Sequence, residues 1–136
     1  MARHGLGTIL AVAVSMLVWN SPAWAVDGVY DRTALSGESE WMDEYFGWNN
    51  DCSHLVIEVD VVDGPTHGTI SHRNEPRPIP QNATRGKSGS CAGKEANALV
   101  LEYTSEAGYR GPDKFRVRMK ARGQSPAFFL YYVTVE

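Results

Sequence analysis

Two segments joined by a glycine-rich turn constrain the fold of this chain most strongly. Residues 99–103 form a short apolar run, and residues 115–119 alternate apolar with cationic side chains. Both patterns are typical of β-strands. Further strands are expected at 26–30, 55–62, 68–71 and 128–135. Short strands with glycine and proline between them, and no convincing long helix, predict an all-β antiparallel sandwich of about seven strands.

Each residue of the intervening turn has a structural role that follows from its chemistry. Gly108 and Gly111 permit positive φ or close backbone approach. Tyr109 can bury its ring while its hydroxyl bonds to backbone, in the manner of a tyrosine corner. Asp113 can accept backbone N–H bonds, and Phe115 begins the core face of the next strand. The turn is therefore expected to lock two core strands together.

The same turn carries a family resemblance. Segment 103–117 reads Tyr-Thr-x-x-Ala-Gly-Tyr-x-Gly-x-Asp-x-Phe-x-Val, which resembles the closing motif of bacterial cadherin-like and immunoglobulin-like domains. Residues 65–69, Pro-Thr-His-Gly-Thr, match a motif of their first half, although Ser105 stands where proline is common. The chain is also similar to small exported bacterial proteins of one domain. The resemblance covers about 48–135 and implies an Ig-like or cadherin-like sandwich.

The N-terminus has the three parts of a secretory signal peptide. Arg3 provides a basic start, residues 6–19 are mostly apolar, and Ala23-Trp24-Ala25 is a small-x-small cleavage site. We therefore expect a signal peptide at 1–25 and a single mature domain at 26–136, periplasmic or secreted from a bacterium. The apolar run is short for a membrane span, and no later segment is apolar enough for one.

Composition limits the function classes. The whole chain has 16 acidic residues against 13 Lys and Arg, and only Arg3 is lost with the signal, so the mature net charge is −4. Residues 27–63 contain ten acids and one base, Arg32, whereas residues 73–122 contain eleven bases and five acids. This asymmetry indicates either a polar partner surface or two halves that neutralise each other. A nucleic-acid partner is not expected for an exported acidic chain.

Cys52 and Cys91 are the two cysteines of the chain. In an oxidising compartment an even pair is most simply one disulfide. A redox or catalytic cysteine would favour a Cys-x-x-Cys pair or a lone thiol beside a base. His54 lies two residues from Cys52, so a Cys–His pairing is the alternative.

Residues 36–48 have a different character from the rest. Aromatic side chains recur here at spacings of three and four within an acidic frame, which favours either a short amphipathic helix or an irregular loop. These aromatic residues either close one end of the core or form a recognition patch for a protein or a glycan. The candidate patch comprises Trp41, Tyr45, Phe46 and Trp48.

Histidines are the candidates for a metal site. His54, His67 and His72 could supply nitrogen ligands to zinc or copper, but their spacing matches no known metal-binding loop. The alternative is that His67 belongs to a turn and the other two are surface residues. No cofactor is expected.

No catalytic motif, such as a nucleophile elbow, a zinc-protease helix or a phosphate loop, occurs in the sequence. The sequence therefore predicts a non-catalytic binding or structural module of the cell envelope, with an unknown envelope protein or glycan as partner. A periplasmic metal-binding protein is the second hypothesis, and an enzyme the third. The last strand, if it lies at a sheet edge, could also add to a partner's sheet.

Overall fold

Seven β-strands and no α-helix make up the part of the chain that the computed structural model describes, residues 25–81 and 91–136. The strands are β1 (Gly28–Ala34), β2 (Ser39–Phe46), β3 (Ile57–Asp63), β4 (Gly68–Pro78), β5 (Glu95–Ser105), β6 (Gly111–Ala121) and β7 (Ala127–Val135). The expected all-β class and strand number are confirmed. In the described residues no helix is long and apolar enough to cross a membrane.

The strands form two sheets that enclose one main core. The four-stranded sheet has the order β1-β7-β6-β3 and the three-stranded sheet the order β2-β5-β4. All neighbours are antiparallel except β1 and β7, which are parallel. The strand that follows β1 in the chain, β2, belongs to the opposite sheet. β1 is therefore not part of a hairpin that would force it to run antiparallel to its neighbour. The last strand, β7, lies between β1 and β6, so it is not a sheet edge, and the edge role considered for it is wrong.

Stacked rings occupy the middle of the core. Tyr103 and Phe115 lie 6.2 Å apart between ring centroids, Phe115 and Tyr131 lie 4.7 Å apart, and Tyr131 and Tyr30 lie 5.2 Å apart. Tyr103, Phe115 and Tyr131 are essentially inaccessible to solvent. These rings come from strands of both sheets, so their packing holds the two layers together through buried apolar area and ring contacts.

Segment 36–48, for which we considered a helix or a loop, is mostly strand β2, and both expectations are wrong. A β-bulge between Trp41 and Asp43 inserts Met42 as an extra residue in the pairing with β5. Met42 and Tyr45 therefore both face the core although they are three residues apart. The bulge shifts the two-residue period of the strand by one, which imitates helical spacing.

Several strands extend beyond their sequence signals. β4 continues to Pro78 and β5 begins at Glu95, so segment 73–95, expected as one long polar loop, is strand at both ends. Polar residues are tolerated in β4 because it is an edge strand with a solvated face. The glycosylation sequon at 82–84 lies outside the described residues, as does the expected signal peptide apart from its last residue.

A second, smaller apolar cluster covers the outer face of the three-stranded sheet. Ile79, Cys91 and Ala96 are buried in it, and Phe46, Trp48 and Cys52 pack against them. The expected disulfide is confirmed: Cys52 and Cys91 are joined, with Cα atoms 5.4 Å apart. The bond attaches the segment before β5 to the segment before β3, and so β5 is buried on both of its faces near this end.

Candidate functional site

The turn between β5 and β6 has the geometry expected from its sequence. Gly108 has φ of 84° and Gly111 has φ of 135°, which are conformations that favour glycine. The Tyr109 hydroxyl donates to the carbonyl of Pro112 at 2.7 Å, and its half-buried ring stacks on His67 at 3.9 Å. Phe115 is buried at the start of the core. The turn is a structural lock between strands.

Asp113 is the polar centre of this lock. Its carboxylate accepts hydrogen bonds from the backbone N–H groups of Thr66, His67 and Lys114, each at 2.9 Å, and from the Tyr103 hydroxyl at 2.9 Å. Burial alone would raise the pKa of Asp113, but the backbone donors hold that pKa below its ordinary value. Burial raises the pKa of the Tyr103 hydroxyl, and the hydrogen bond that this hydroxyl donates to the Asp113 carboxylate raises it further. These four bonds join the β3–β4 loop to β5 and β6.

The four aromatic residues of the expected patch do not share one surface. Tyr45 is buried in the main core, whereas Phe46 and Trp48 pack into the second cluster beside the disulfide. Trp41 alone is strongly exposed, at 49%. Three of the four therefore close the two cores, and one remains as a surface residue.

The three candidate histidines lie in different parts of the fold. His54 bridges to Trp48 before β3, with Nε2 3.4 Å from the side-chain amide of Asn97. His67 stacks on Tyr109 as described, and His72 is an exposed residue of the edge strand β4. Residues 25–81 and 91–136 contain no group of three or more His, Cys, Asp or Glu side chains that could hold a metal ion.

The exposed Trp41 belongs to a cluster that the sequence did not reveal. The bulge leaves the carbonyl of Met42 unpaired, and Arg32 Nε donates to it at 2.6 Å. The same guanidinium lies 5.7 Å from the Trp41 ring, 5.1 Å from the Tyr30 ring and 5.9 Å from the Tyr131 ring. These distances are within the range of cation–π contacts. Trp41 thus lies against an arginine that is also held by two tyrosine rings and by a backbone carbonyl.

A chain of polar groups supports this arginine from inside. Asp43 Oδ2 lies 3.6 Å from Arg32 and accepts a hydrogen bond of 2.9 Å from the Tyr131 hydroxyl. Tyr131 has one hydroxyl proton, so Tyr45 donates to Tyr131 in a short contact. Burial raises the pKa of Tyr45 and of Tyr131 far above the ordinary tyrosine value. Both therefore stay protonated at neutral pH and act as fixed donors, not as bases.

One feature of the sequence pointed to this cluster, namely a single cation within an acidic segment. Arg32 is the single base among ten acids in residues 27–63. In that setting a cation close to the core is expected to be held by a carboxylate, as it is by Asp43. The roles of Tyr30 and Tyr131 depend on the parallel pairing of β1 with β7, which the sequence did not indicate.

Neither a protein-family model nor a curated protein matches this chain. The function is therefore inferred from the fold and from the chemistry of one group of side chains. This group, the Trp41 cluster, comprises Tyr30, Arg32, Trp41, Asp43, Tyr45 and Tyr131.

Proposed function

We propose that this protein is an exported Ig-like or cadherin-like module with a non-catalytic binding role in a bacterial periplasm or cell envelope. The export pattern of residues 1–25, the motif of residues 103–117 and the disulfide all support this proposal. Small exported domains are often stabilised by disulfides. Within the module, Trp41 is the residue that contacts the partner.

This proposal depends mainly on Trp41, whose side chain is half exposed and yet is held in place by Arg32. An exposed indole offers a large apolar area, and a fixed one loses little side-chain entropy when a partner covers it. Tryptophan and arginine are also the residue types most enriched among the dominant contacts of protein interfaces. Trp41 with Arg32 behind it therefore favours an envelope protein as partner, with an envelope glycan as the second candidate.

The test begins with chemical cross-linking and affinity capture by the mature chain from its own cell envelope. The captured partner is identified and purified, and its Kd is then measured for wild type and for Trp41→Ala. Because residues of this kind contribute about 2 kcal/mol or more at interfaces, we expect the variant to bind roughly thirtyfold more weakly. Tyr132→Ala is the matched control, since Tyr132 is an equally exposed aromatic residue on the four-stranded sheet.

The melting temperature of each variant separates lost contact from lost fold. Removal of Trp41 removes one cation–π contact with Arg32, worth about 1 kcal/mol at most at an exposed site. A Trp41→Ala protein that stays folded and binds the partner as tightly as wild type would refute the proposed site. If no specific partner is recovered from the envelope, the binding function itself is refuted.

A further inference from the structure

The edges of the two sheets differ in how they are protected. The edge strands are β1 and β3 in one sheet and β2 and β4 in the other. The β1 and β2 edges are tied together by Arg32. Both β2 and β3 contain a register shift, between Trp41 and Asp43 in β2 and between Val61 and Asp63 in β3. The free edge of β4 contains Pro76 and Pro78, which have no N–H to offer to another strand. Strand β3 has neither a proline nor a glycine between Ile57 and Asp63.

Strand β3 also exposes unusual apolar area. Seven large hydrophobic residues of the described chain are strongly exposed, and three of them, Val56, Val61 and Val62, lie in or next to β3. The alternation of residues 55–62 places Val61 on the same strand face as Ile57 and Val59, which are buried, but Val61 is 45% exposed. This exposure shows that the described residues of the opposite sheet do not cover this end of the inner side of β3. The unpaired backbone N–H and C=O groups on the free side of an edge strand are a template for another strand.

The outer face of β3 is acidic and is neutralised from one side only. Asp60 pairs with Arg118 at 2.5 Å and Asp63 pairs with Arg116 at 2.8 Å, both across the β3–β6 ladder. Glu58 lies opposite Lys120 in the same register. On the other side of β3 the described chain has no strand. Cations on an added strand would therefore flank the β3 acids as the cations of β6 do.

A second copy of this chain brings acids and no cations to the edge. Two β3 strands related by a two-fold axis and centred on Val59 place Glu58 against the Asp60 of the other copy, and a pairing centred on Asp60 places that aspartate against itself. Like charges directly opposite each other in a ladder are destabilising. A pairing centred on Val61 avoids this repulsion, because Asp60 then lies opposite Val62, but it leaves the acids of both copies without added cations. The edge is therefore better matched by a basic segment of a different chain.

We propose that the edge of β3 binds an extended segment of a partner polypeptide, which adds a fifth strand to the four-stranded sheet. The segment alternates Lys or Arg, facing the acids Glu58 and Asp60, with apolar residues that cover the inner side at Val61. Backbone hydrogen bonds supply the affinity and the alternation supplies the specificity. This surface is at the opposite edge of the sheet from β1, so the proposal stands whether or not Trp41 binds a partner.

Three labelled seven-residue peptides test the proposal against the mature chain by fluorescence anisotropy. One alternates Lys with Val, one alternates Glu with Val, and one has the Lys and Val residues blocked so that alternation is lost. We expect measurable binding of the first peptide, none of the second, and at least tenfold weaker binding of the third. We also expect the first peptide to slow hydrogen exchange of the β3 amides.

The variant Asp60→Lys reverses charge at the edge itself and is expected to weaken binding of the Lys–Val peptide at least tenfold. The pair with Arg118 that it removes is exposed and contributes little to stability, but the variant also places two cations opposite each other in the ladder. Its melting temperature is therefore measured, and Asp60→Asn, which removes the charge without that repulsion, is tested beside it. Asp31→Lys is the matched control, because Asp31 is an exposed acid on β1 at the other edge of the sheet. That variant is expected to bind as wild type does.

Three results would overturn the proposal. Equal binding of the blocked peptide would show charge attraction without strand addition. Exchange protection confined to strands other than β3 would place the peptide elsewhere. Sedimentation showing a dimer that Asp60→Lys changes would make a second copy the occupant of the edge.

Discussion

Replacement of Asp113 by alanine tests whether the turn motif acts as a structural lock. The change removes one acceptor group from four donors. Thr66 is exposed, so water can replace the carboxylate there, whereas the Tyr103 hydroxyl is buried and the His67 amide is partly buried. Hydrogen bonds to a charged group contribute about 1.5–3 kcal/mol each. Counting two of them, we expect Asp113→Ala to lower the free energy of unfolding by roughly 3–6 kcal/mol.

The assay is urea unfolding of the mature chain, followed by tryptophan fluorescence at several pH values. The pKa of Asp113 is lowered in the folded state, so its contribution is present above the ordinary aspartate pKa, near 3.9. That contribution is lost as the pH falls through the folded-state pKa. The difference between wild type and Asp113→Asn is therefore expected to be constant near neutral pH and to shrink progressively below about pH 4.

Asp31→Asn is the control for this series, because Asp31 is an exposed strand aspartate. We expect it to change the free energy of unfolding by less than about 0.5 kcal/mol at every pH. The lock would be refuted by an Asp113→Ala protein as stable as the Asp31 variant. A difference between wild type and Asp113→Asn that stays the same at pH 7 and pH 2.5 would refute the role of the charge.

The disulfide, the close packing around Gly68 and the metal-binding hypothesis can each be tested by thiol titration or thermal unfolding. The mature chain should show no titratable thiol without reductant, and reduction of Cys52–Cys91 should lower the melting temperature; a loop of this length is worth about 4 kcal/mol in the chain-entropy model. Gly68→Ala should destabilise strongly, because a Cβ there would lie 2.5 Å from the Tyr103 ring, whereas Gly64→Ala, with nothing within 4 Å, should be nearly neutral in the same thermal melts. Zinc or copper should not raise the melting temperature appreciably, and a large rise abolished by replacing any one histidine would support the metal-binding hypothesis instead.

Local chemistry made the turn and the disulfide predictable. A glycine at positive φ, an aspartate that accepts backbone donors and a pair of cysteines in an exported chain each have few alternative uses. Gly108, Gly111 and Asp113 therefore have in the structure the roles that the sequence indicated. The strict alternation of apolar and cationic residues at 115–119 likewise predicted a strand, and these residues lie in β6.

Features that depend on pairing between distant strands were not predictable. In the sequence, the spacing of three between Met42 and Tyr45 is typical of a helix. In the structure the segment is a strand, because β2 pairs with β5 before and after Met42 and leaves that residue as an extra one in the pairing. The position of β7 between two neighbours depends likewise on β1, which pairs in parallel from the other end of the chain. Alternation assigns Val61 to the core face of its strand, but alternation does not show whether the opposite sheet extends over that residue.

The uneven charge distribution of the chain connects these observations. Acids of the first half pair with cations of the second half across both sheets: Glu44 with Arg77, Asp60 with Arg118 and Asp63 with Arg116. Much of the charge asymmetry is therefore neutralised within the fold. This agrees with the interpretation that the two halves of the chain neutralise each other. Neutralisation in a sheet needs a neighbour on each side, however, and an edge strand has only one. The acids of β3 thus retain an unmatched side, and the asymmetry that folding leaves over is located at the edge where we expect a basic strand to bind.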